Sequence, residues 1–190
     1  MKNVTIIIIE KHGQILDIIT QPIHSITSFD WHADYPMHGE YVIDADHYAK
    51  QIDPVWYDQN WAIILASRGL VKEYTWTFPH DYSNEDVKIF TSKNGECRVF
   101  NRRFNKDMKI YSQYVTIDLD FFGNKIPVNW NPGDDKDRME LMKDVLETLK
   151  AEDIIMIISK SNAYVNYDTD KFLQDMITEI SSRANIVDIE

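Results

Sequence analysis

The run Val4-Thr5-Ile6-Ile7-Ile8-Ile9 decides the fold class, because a continuous stretch of apolar and β-branched residues is typical of a strand buried on both faces. Such strands belong to parallel sheets that carry helices on each side. A similar run, Asp153-Ile154-Ile155-Met156-Ile157-Ile158-Ser159, lies near the other end of the chain. Both runs are far too short to span a bilayer. The sequence therefore predicts a sheet of buried, mainly parallel strands.

Further strands and helices alternate along the rest of the chain. Strands are predicted at 26–29, 71–78, 115–121 and 185–189, and helices at 53–68, 134–150 and 170–183. The segment 14–20 fits either a short helix or a second strand, and Gly69 is the stop signal of the helix at 53–68. Residues 81–110 are polar and mixed in charge, and they predict a peripheral hairpin or insertion. The alternation indicates an α/β layered fold.

The chain has 190 residues, which is enough for one domain with a substantial core, so we expect a single α/β domain over residues 1–190. Its one cysteine, Cys97, excludes an internal disulfide framework. The N-terminus shows no secretory signal pattern, and the expected compartment is the cytoplasm. The formal net charge of −11 disfavours nucleic acid and anionic membranes as partners and favours a cationic one.

The segment Phe29-Asp30-Trp31-His32-Ala33-Asp34 places three metal-ligand side chains at alternate positions, directly after the strand predicted at 26–29. Residues two apart in an extended strand project from the same face, so Asp30, His32 and Asp34 are expected to point together. An Asp at a strand end is also a common turn residue or helix cap. Taken alone, this segment leaves both interpretations open.

A second segment of the same character lies far downstream, in Tyr114-Val115-Thr116-Ile117-Asp118-Leu119-Asp120-Phe121-Phe122. Its β-branched run is expected to deliver Asp118 and Asp120 to one face of a strand. Five ionisable groups on two hydrophobic strands would repel and desolvate one another unless cations compensated them. Carboxylates with a minority of imidazole suit Mn²⁺ or Mg²⁺ and accept Zn²⁺ or Fe²⁺. The two segments together predict one metal site at strand ends, where α/β sheets bind ligands.

These two segments, together with a histidine after the first strand in Ile9-Glu10-Lys11-His12, resemble the arginase and histone deacetylase superfamily. The chain looks most like the small arginase-like branch that includes the peptide arginases. The resemblance implies a three-layer arginase-like α/β fold with a mainly parallel sheet flanked by helices. It also implies a site for two divalent metal ions, with Mn²⁺ as the expected metal, bridged by Asp30 and Asp118. The implied ligands are His12, Asp30, His32, Asp34, Asp118 and Asp120.

The activity that the resemblance implies is hydrolysis of a guanidinium C–N bond, in which peptidyl arginine becomes ornithine and urea is released. The expected substrate is an arginine-containing peptide or a small guanidino compound. His38, in Met37-His38-Gly39, is the nearest match to the proton-shuttle histidine of arginases. Trp76 and His80 lie near a strand end and are candidates for substrate contact, with Trp76 stacking on the guanidinium.

One element of the family pattern is missing. Arginases place a Glu against the guanidinium from a late strand, whereas this chain has Ser159-Lys160-Ser161-Asn162 at that place. Glu10 and Glu40 are candidates for the missing acid. Two alternatives stay open: a metal-dependent deacetylase of the same fold, although the chain has no His-His pair, and a non-catalytic, metal-stabilised protein that binds a peptide or another partner.

Overall fold

The computed structural model describes residues 1–35, 41–79, 85–123, 135–162, 165 and 167–189. Its strands form one nine-stranded sheet with the order β3-β5-β6-β4-β2-β7-β8-β1-β9. The strands are β1 (Asn3–Ile9), β2 (Ile23–Phe29), β3 (Val42–Asp44), β4 (Val71–Phe78), β5 (Asp86–Ser92), β6 (Gly95–Arg103), β7 (Tyr114–Asp118), β8 (Asp153–Ser159) and β9 (Asn185–Ile189). All described strand pairs are parallel except the antiparallel pair β5–β6.

Helices cover both faces of this sheet. The α-helices are α1 (Ile15–Ile18), α2 (Ala45–Ala49), α3 (Trp61–Ser67), α4 (Asp135–Thr148) and α5 (Thr169–Arg183), and 3₁₀ helices span His12–Gln14, Pro54–Gln59 and Leu119–Phe122. Buried side chains of α1, α2 and α3 belong to one hydrophobic core, and those of α4 and α5 belong to a second core. The predicted α/β architecture, a mainly parallel sheet between two helical layers, is confirmed.

Strand β1 shows why the run Val4-Thr5-Ile6-Ile7-Ile8-Ile9 is apolar at every position except Thr5. Val4 and Ile6 pack into the core with α4 and α5, whereas Ile7 and Ile9 contact the core with α1, α2 and α3. Successive residues of a strand point to opposite faces, so a strand between two cores needs apolar side chains on both. None of the helices formed by the described residues has the length and apolarity needed to cross a membrane.

The region 81–110 contains a hairpin, but the hairpin continues the sheet and is not peripheral. Strand β6 pairs with β4 from Glu73↔Arg98 to Phe78↔Arg103, and β5 pairs in turn with the short strand β3. Alternate residues of β6, among them Cys97 and Val99, are buried. The polar residues between them, such as Glu96 and Arg98, are exposed, and this mixed polar pattern is the reason that the sequence predicts a peripheral segment.

Two further elements differ from the sequence prediction. The single helix expected at 53–68 is divided at Asn60, whose φ of −144° is not helical, into the 3₁₀ helix Pro54–Gln59 and α3. The strand expected at 115–121 ends at Asp118 and continues as the 3₁₀ helix Leu119–Phe122. Gly69 has a φ of 72° and follows α3 closely, as its role as a stop signal requires. The segment 14–20 forms the short helix α1, the first of its two alternatives.

The strand order defines where a site can form. Strands β2 and β7 are direct neighbours, and β1 is separated from β7 by β8 alone. These four strands are parallel, so their carboxyl ends lie at the same edge of the sheet. The residues that follow β1, β2, β7 and β8 therefore meet there, although they are distant in sequence.

Candidate metal centre

The six predicted metal ligands converge at the carboxyl ends of β1, β2 and β7, and we call them the ligand cluster: His12, Asp30, His32, Asp34, Asp118 and Asp120. Three carboxylates surround the ring of His12. Its Nδ1 lies 2.9 Å from Asp30 Oδ2, 3.0 Å from Asp34 Oδ2 and 3.3 Å from Asp118 Oδ2. These four side chains are buried almost completely. Such close, buried oxygens require a compensating positive charge.

A proton on His12 would balance only one of these three carboxylates. His12 Nδ1 and Asp30 Oδ2 lie 2.9 Å apart, but neither atom makes a hydrogen bond within the described part of the chain. The other ring nitrogen, Nε2, contacts the Thr116 hydroxyl, which holds the ring in place. Buried polar atoms normally have partners, so unpartnered atoms that face one another indicate a missing ligand. A cation between Nδ1 and the carboxylates would satisfy them together.

A second group of ligand atoms adjoins the first. His32 Nδ1 lies 3.0 Å from Asp120 Oδ2 and 3.8 Å from Asp30 Oδ1. The ligand atoms of His12, Asp30 and Asp118 all lie within 4.8 Å of one another, and the same holds for Asp30, His32 and Asp120. Each trio could hold a metal ion, and Asp30 belongs to both. The arrangement is therefore suited to two neighbouring cations that share a carboxylate.

The backbone brings these side chains together by turns and not by the strand alternation that the sequence predicted. Strand β2 ends at Phe29, and Asp34 has a positive φ of 55°. The turn is stabilised locally, since the His32 backbone N–H donates to Asp30 Oδ1 at 2.8 Å. Asp118 ends β7 and accepts the Asp120 N–H at 3.2 Å, which starts the following 3₁₀ helix. The residues converge as predicted, although their conformation was predicted wrongly.

Several hydrogen bonds from outside the cluster orient the carboxylates. The indole N–H of Trp61 donates to Asp34 Oδ2 at 2.5 Å, and the hydroxyl of Ser161 donates to Asp118 Oδ2 at 2.6 Å. The backbone N–H of Trp31 donates to Asp120 Oδ1 at 3.2 Å. Partners of this kind fix the orientation of ligands in metal sites and tune their affinity.

Burial and mutual repulsion shift the ionisation of the cluster. Burial raises the pKa of Asp30, and the charges of Asp34 and Asp118 raise it further, against an opposing effect of His12. The pKa of Asp120 is raised by burial and then by the charges of Asp118 and Asp30. In the metal-free cluster, burial and mutual repulsion therefore disfavour the ionised forms of Asp30 and Asp120.

The two histidines of the cluster shift in the same direction. Burial alone would lower the pKa of His32, but its hydrogen bond and charge interaction with Asp120 outweigh burial and raise the pKa to about 9. The pKa of His12 is also raised, because the surrounding carboxylates outweigh a large opposing effect of burial. When all four carboxylates of the cluster are ionised, as metal binding requires, they exceed the charge of two imidazolium rings. Divalent cations would supply the missing positive charge.

The cluster opens into a cavity of about 370 Å³. Five cluster residues line it, and His32 has the most exposed side chain of these, at 40%. The other lining residues are Glu10, Lys11, Asp58, Gln59, Ser161 and Asn162. This size fits a small ligand or the end of one side chain, and such a ligand would lie directly beside the cluster.

The structure gives Trp76 a different place from the one predicted. Its side chain is 2% exposed, it packs against Phe78 in the core with α1, α2 and α3, and it does not line the cavity. Its indole N–H donates to the backbone oxygen of Asp30 at 3.0 Å. The prediction that Trp76 stacks on a substrate is wrong, because residue alternation along β4 turns this side chain into the core.

Three predicted residues, His38, Glu40 and His80, lie outside the described residues. Glu10, the other candidate for an acid beside the substrate, lines the cavity.

Sequence reasoning missed two other parts of the cavity wall. Ser161 and Asn162 follow β8 directly, so the rule that ligands bind at the carboxyl ends of parallel strands would have found them. Ser161 also has an unusual φ of 44°, a conformation that recurs at functional sites. Asp58 and Gln59 belong to the 3₁₀ helix Pro54–Gln59, where no pattern in the sequence marks them.

No model of a known protein family matches the chain, and no curated protein sequence matches it either. A functional interpretation therefore rests on the geometry and chemistry of this site.

Proposed function

We propose that the protein is a hydrolase that uses two divalent metal ions, Mn²⁺ foremost, to cleave a guanidinium C–N bond. The proposed substrate is arginine within a peptide, and the products are ornithine and urea. The observation that carries the proposal is the pair of adjacent ligand trios that share Asp30, beside a cavity of side-chain size.

The donor set fits the proposed ions. Carboxylate oxygens predominate over imidazole nitrogens in both trios, and no thiolate is present, since the lone Cys97 is buried elsewhere in the core. This mixture favours Mn²⁺ or Mg²⁺ over metals that prefer sulfur ligands. Two such ions, when bound, would lower the pKa of a water molecule and so supply a hydroxide nucleophile for hydrolysis. They would also polarise the guanidinium carbon that this nucleophile attacks.

The chain's own residues would position the reaction. Asp30 lies near both histidines and belongs to both trios, so it would serve both ions, whereas Asp118 belongs to the trio of His12. Asp34 and Asp118 are held by Trp61 and Ser161, so the carboxylates are already oriented before a substrate arrives. His32 borders the cavity and is placed to meet a substrate there. No organic cofactor or covalent nucleophile is required.

The charge of the cavity supports a cationic substrate. Beyond the ligand cluster, which the metal ions would neutralise, its wall contains two acids, Glu10 and Asp58, and one basic residue, Lys11. The overall formal charge of −11 would also attract a cationic peptide. A guanidinium group meets both features, because it is always charged and carries several N–H donors.

The test is to purify the protein with Mn²⁺, determine its metal content by elemental analysis, and incubate it with arginine peptides. We expect two ions per chain, formation of urea and a matching loss of mass from the peptide in mass spectrometry. Asp30→Ala, which removes the shared ligand, should form no urea. Fully loaded protein that forms no urea from free or peptidyl arginine would reject this function, and release of acetate from acetyl-lysine peptides would establish the deacetylase alternative.

A further inference from the structure

Two acidic residues of the cavity wall, Glu10 and Asp58, do not belong to the ligand cluster. Their carboxylates differ in how far neighbouring positive charges compensate them. Glu10 pairs with Lys160, whose Nζ lies 3.0 Å from Glu10 Oε1 and 3.1 Å from Asp170 Oδ1. The Glu10 side chain is also 63% exposed to solvent. Its charge is thus compensated within the chain, and water screens what remains.

Asp58 is in a different situation. Its side chain is 38% exposed, and among the described residues its cationic partner is Lys11, whose Nζ lies 4.0 Å from Asp58 Oδ2. Lys11 is itself 73% exposed, so this pair is loose and screened by water. The negative charge of Asp58 is therefore more available to a ligand in the cavity than that of Glu10.

A backbone contact fixes Asp58 relative to the ligand cluster. The N–H of Gly13, the residue after His12, donates to Asp58 Oδ1 at 3.0 Å. A Cβ atom at Gly13 would lie 2.6 Å from Asp58 Oδ1 and 2.8 Å from the Asp58 backbone nitrogen, closer than side chains pack. Glycine is thus required for the helix Pro54–Gln59 to lie against the turn that carries His12. The carboxylate is held at a set position beside a metal ligand.

We infer that Asp58 is the residue that selects a guanidinium substrate, by accepting its N–H groups on Oδ2. This inference rests on the proposed function. A carboxylate held by one oxygen presents the other in a fixed direction, and hydrogen bonds between charged groups are the strong ones. Citrulline is a neutral isostere of arginine, so it lacks the positive charge with which Asp58 would interact. Asp58 therefore sets the specificity of the site, and the ligand cluster performs the hydrolysis.

The test compares Asp58→Asn with the wild type, because asparagine keeps an oxygen that can accept the Gly13 N–H and replaces the charged acceptor Oδ2 by an amide NH₂ group. Binding of an arginine peptide and of its citrulline counterpart to the Mn²⁺-treated protein is measured by calorimetry, and turnover is followed by mass spectrometry. Loss of one charged hydrogen bond should weaken binding of the arginine peptide, so that its KM or Kd rises about 10- to 100-fold. Citrulline binding and metal content should not change. Asp107→Asn, which removes one exposed charge outside the cavity, is the matched control.

The outcomes separate this inference from the proposed function. Turnover by the wild type with equal KM in Asp58→Asn would overturn the role of Asp58 and leave the hydrolase intact. A larger loss in Glu10→Gln than in Asp58→Asn would also overturn it. Tight binding of arginine without urea formation, weakened in Asp58→Asn, would reject the hydrolase and uphold recognition by Asp58. A wild type that binds neither peptide would overturn both.

Discussion

The protein contains two networks of polar side chains that balance their charges differently, one that reaches solvent at Asp86, whose side chain is 42% exposed, and one that is buried at the ligand cluster. One network joins β5 and β6 to the segment after β2. The Tyr35 hydroxyl donates to Asn101 Oδ1 at 2.6 Å, Asn101 donates to Asp86, and Lys88 Nζ lies 3.1 Å from Asp86 Oδ2. Its one negative charge faces one positive charge, so this internal network is balanced by the chain itself.

The ligand cluster has no such balance. Carboxylates exceed histidines by two, and His12 Nδ1 and Asp30 Oδ2 lack hydrogen bonds within the described residues. Burial of unpaired charge costs several kcal/mol per group in proteins, and natural folds retain it where an ion supplies the compensation. The internal network is thus balanced by charges of the chain, whereas the ligand cluster is suited to a cation from outside the chain.

Removal of the shared ligand should change metal binding more than any other substitution. Asp30→Ala takes away the carboxylate common to both trios, and we expect it to lose both metal ions and all turnover. Asp86→Asn, which breaks the internal network, should keep both ions. Elemental analysis after dialysis against metal-free buffer measures the difference. If Asp30→Ala retained as much metal as Asp86→Asn, the distinction between the two networks would be lost.

The same contrast shows what the sequence can predict. Strands β1 and β8 could be predicted because burial on two faces requires an unbroken apolar run. Strand β3 was missed, because this short edge strand buries only Ile43 and three residues carry no periodic signal. The antiparallel place of β5 and β6 within the sheet depends on pairing between distant strands, which local patterns do not specify.

The ligands of the site were predictable for a related reason. Asp30 and Asp118 follow apolar strands, and parallel strands end at one edge of the sheet. The turn at Asp34 and the core position of Trp76 could not be predicted from the sequence, because both depend on neighbours that are remote in sequence. Asp58 was missed for the same reason, since it reaches the cavity only through the contact of its helix with Gly13.

Chelation should destabilise the protein through the cluster alone. One ion at about 100 times its Kd adds about 2.7 kcal/mol to the free energy of unfolding. In a chain of this size that corresponds to roughly 5–11 °C in Tm, so we expect a drop of at least this size when metal is removed. Asp118→Asn should show a smaller drop, because it weakens metal binding and relieves repulsion in the metal-free state.

Calorimetric scans with chelator and with added Mn²⁺ provide the measurement. Asp86→Asn serves as the reference, since its Tm should respond to the chelator as the wild type does. A wild-type Tm that is indifferent to both chelator and Mn²⁺ would show that the cluster, like the internal network, is complete without metal.

Metal affinity should rise with pH, because protons and cations compete for the cluster. The pKa of His32 is about 9 in the folded, metal-free chain, against an ordinary 6.5. The proton on His32 therefore stabilises the metal-free fold in full below about 6.5, and this stabilisation is lost as the pH rises through about 9. The raised pKa values of His12, Asp30 and Asp120 act in the same direction.

Between pH 6.5 and 9, the affinity for Mn²⁺ should rise about tenfold per pH unit for each proton that the metal displaces. Titration of the metal-free protein with Mn²⁺ in buffers between pH 6.5 and 9 measures the slope. The internal network offers no counterpart there, since burial raises the pKa of Tyr35 above its ordinary value and keeps the phenol neutral. An affinity that is constant or falls over this range would contradict the proposed competition.

The weakest effect on metal binding is expected from two buried tryptophans, Trp61 and Trp76, which hydrogen-bond to different parts of the ligand cluster. The Trp61 indole donates to the Asp34 carboxylate at 2.5 Å, whereas the Trp76 indole donates to the backbone oxygen of Asp30 at 3.0 Å. Trp61→Phe and Trp76→Phe each remove one indole and leave a cavity, so both should lose stability to a similar degree. Only Trp61→Phe also releases a ligand carboxylate, which should weaken Mn²⁺ binding by about 10- to 100-fold.

Titration calorimetry with Mn²⁺ on both variants, alongside their Tm values, makes the comparison. Equal losses of affinity at equal losses of stability would mean that general packing, and not the hydrogen bond to Asp34, prepares the cluster for metal.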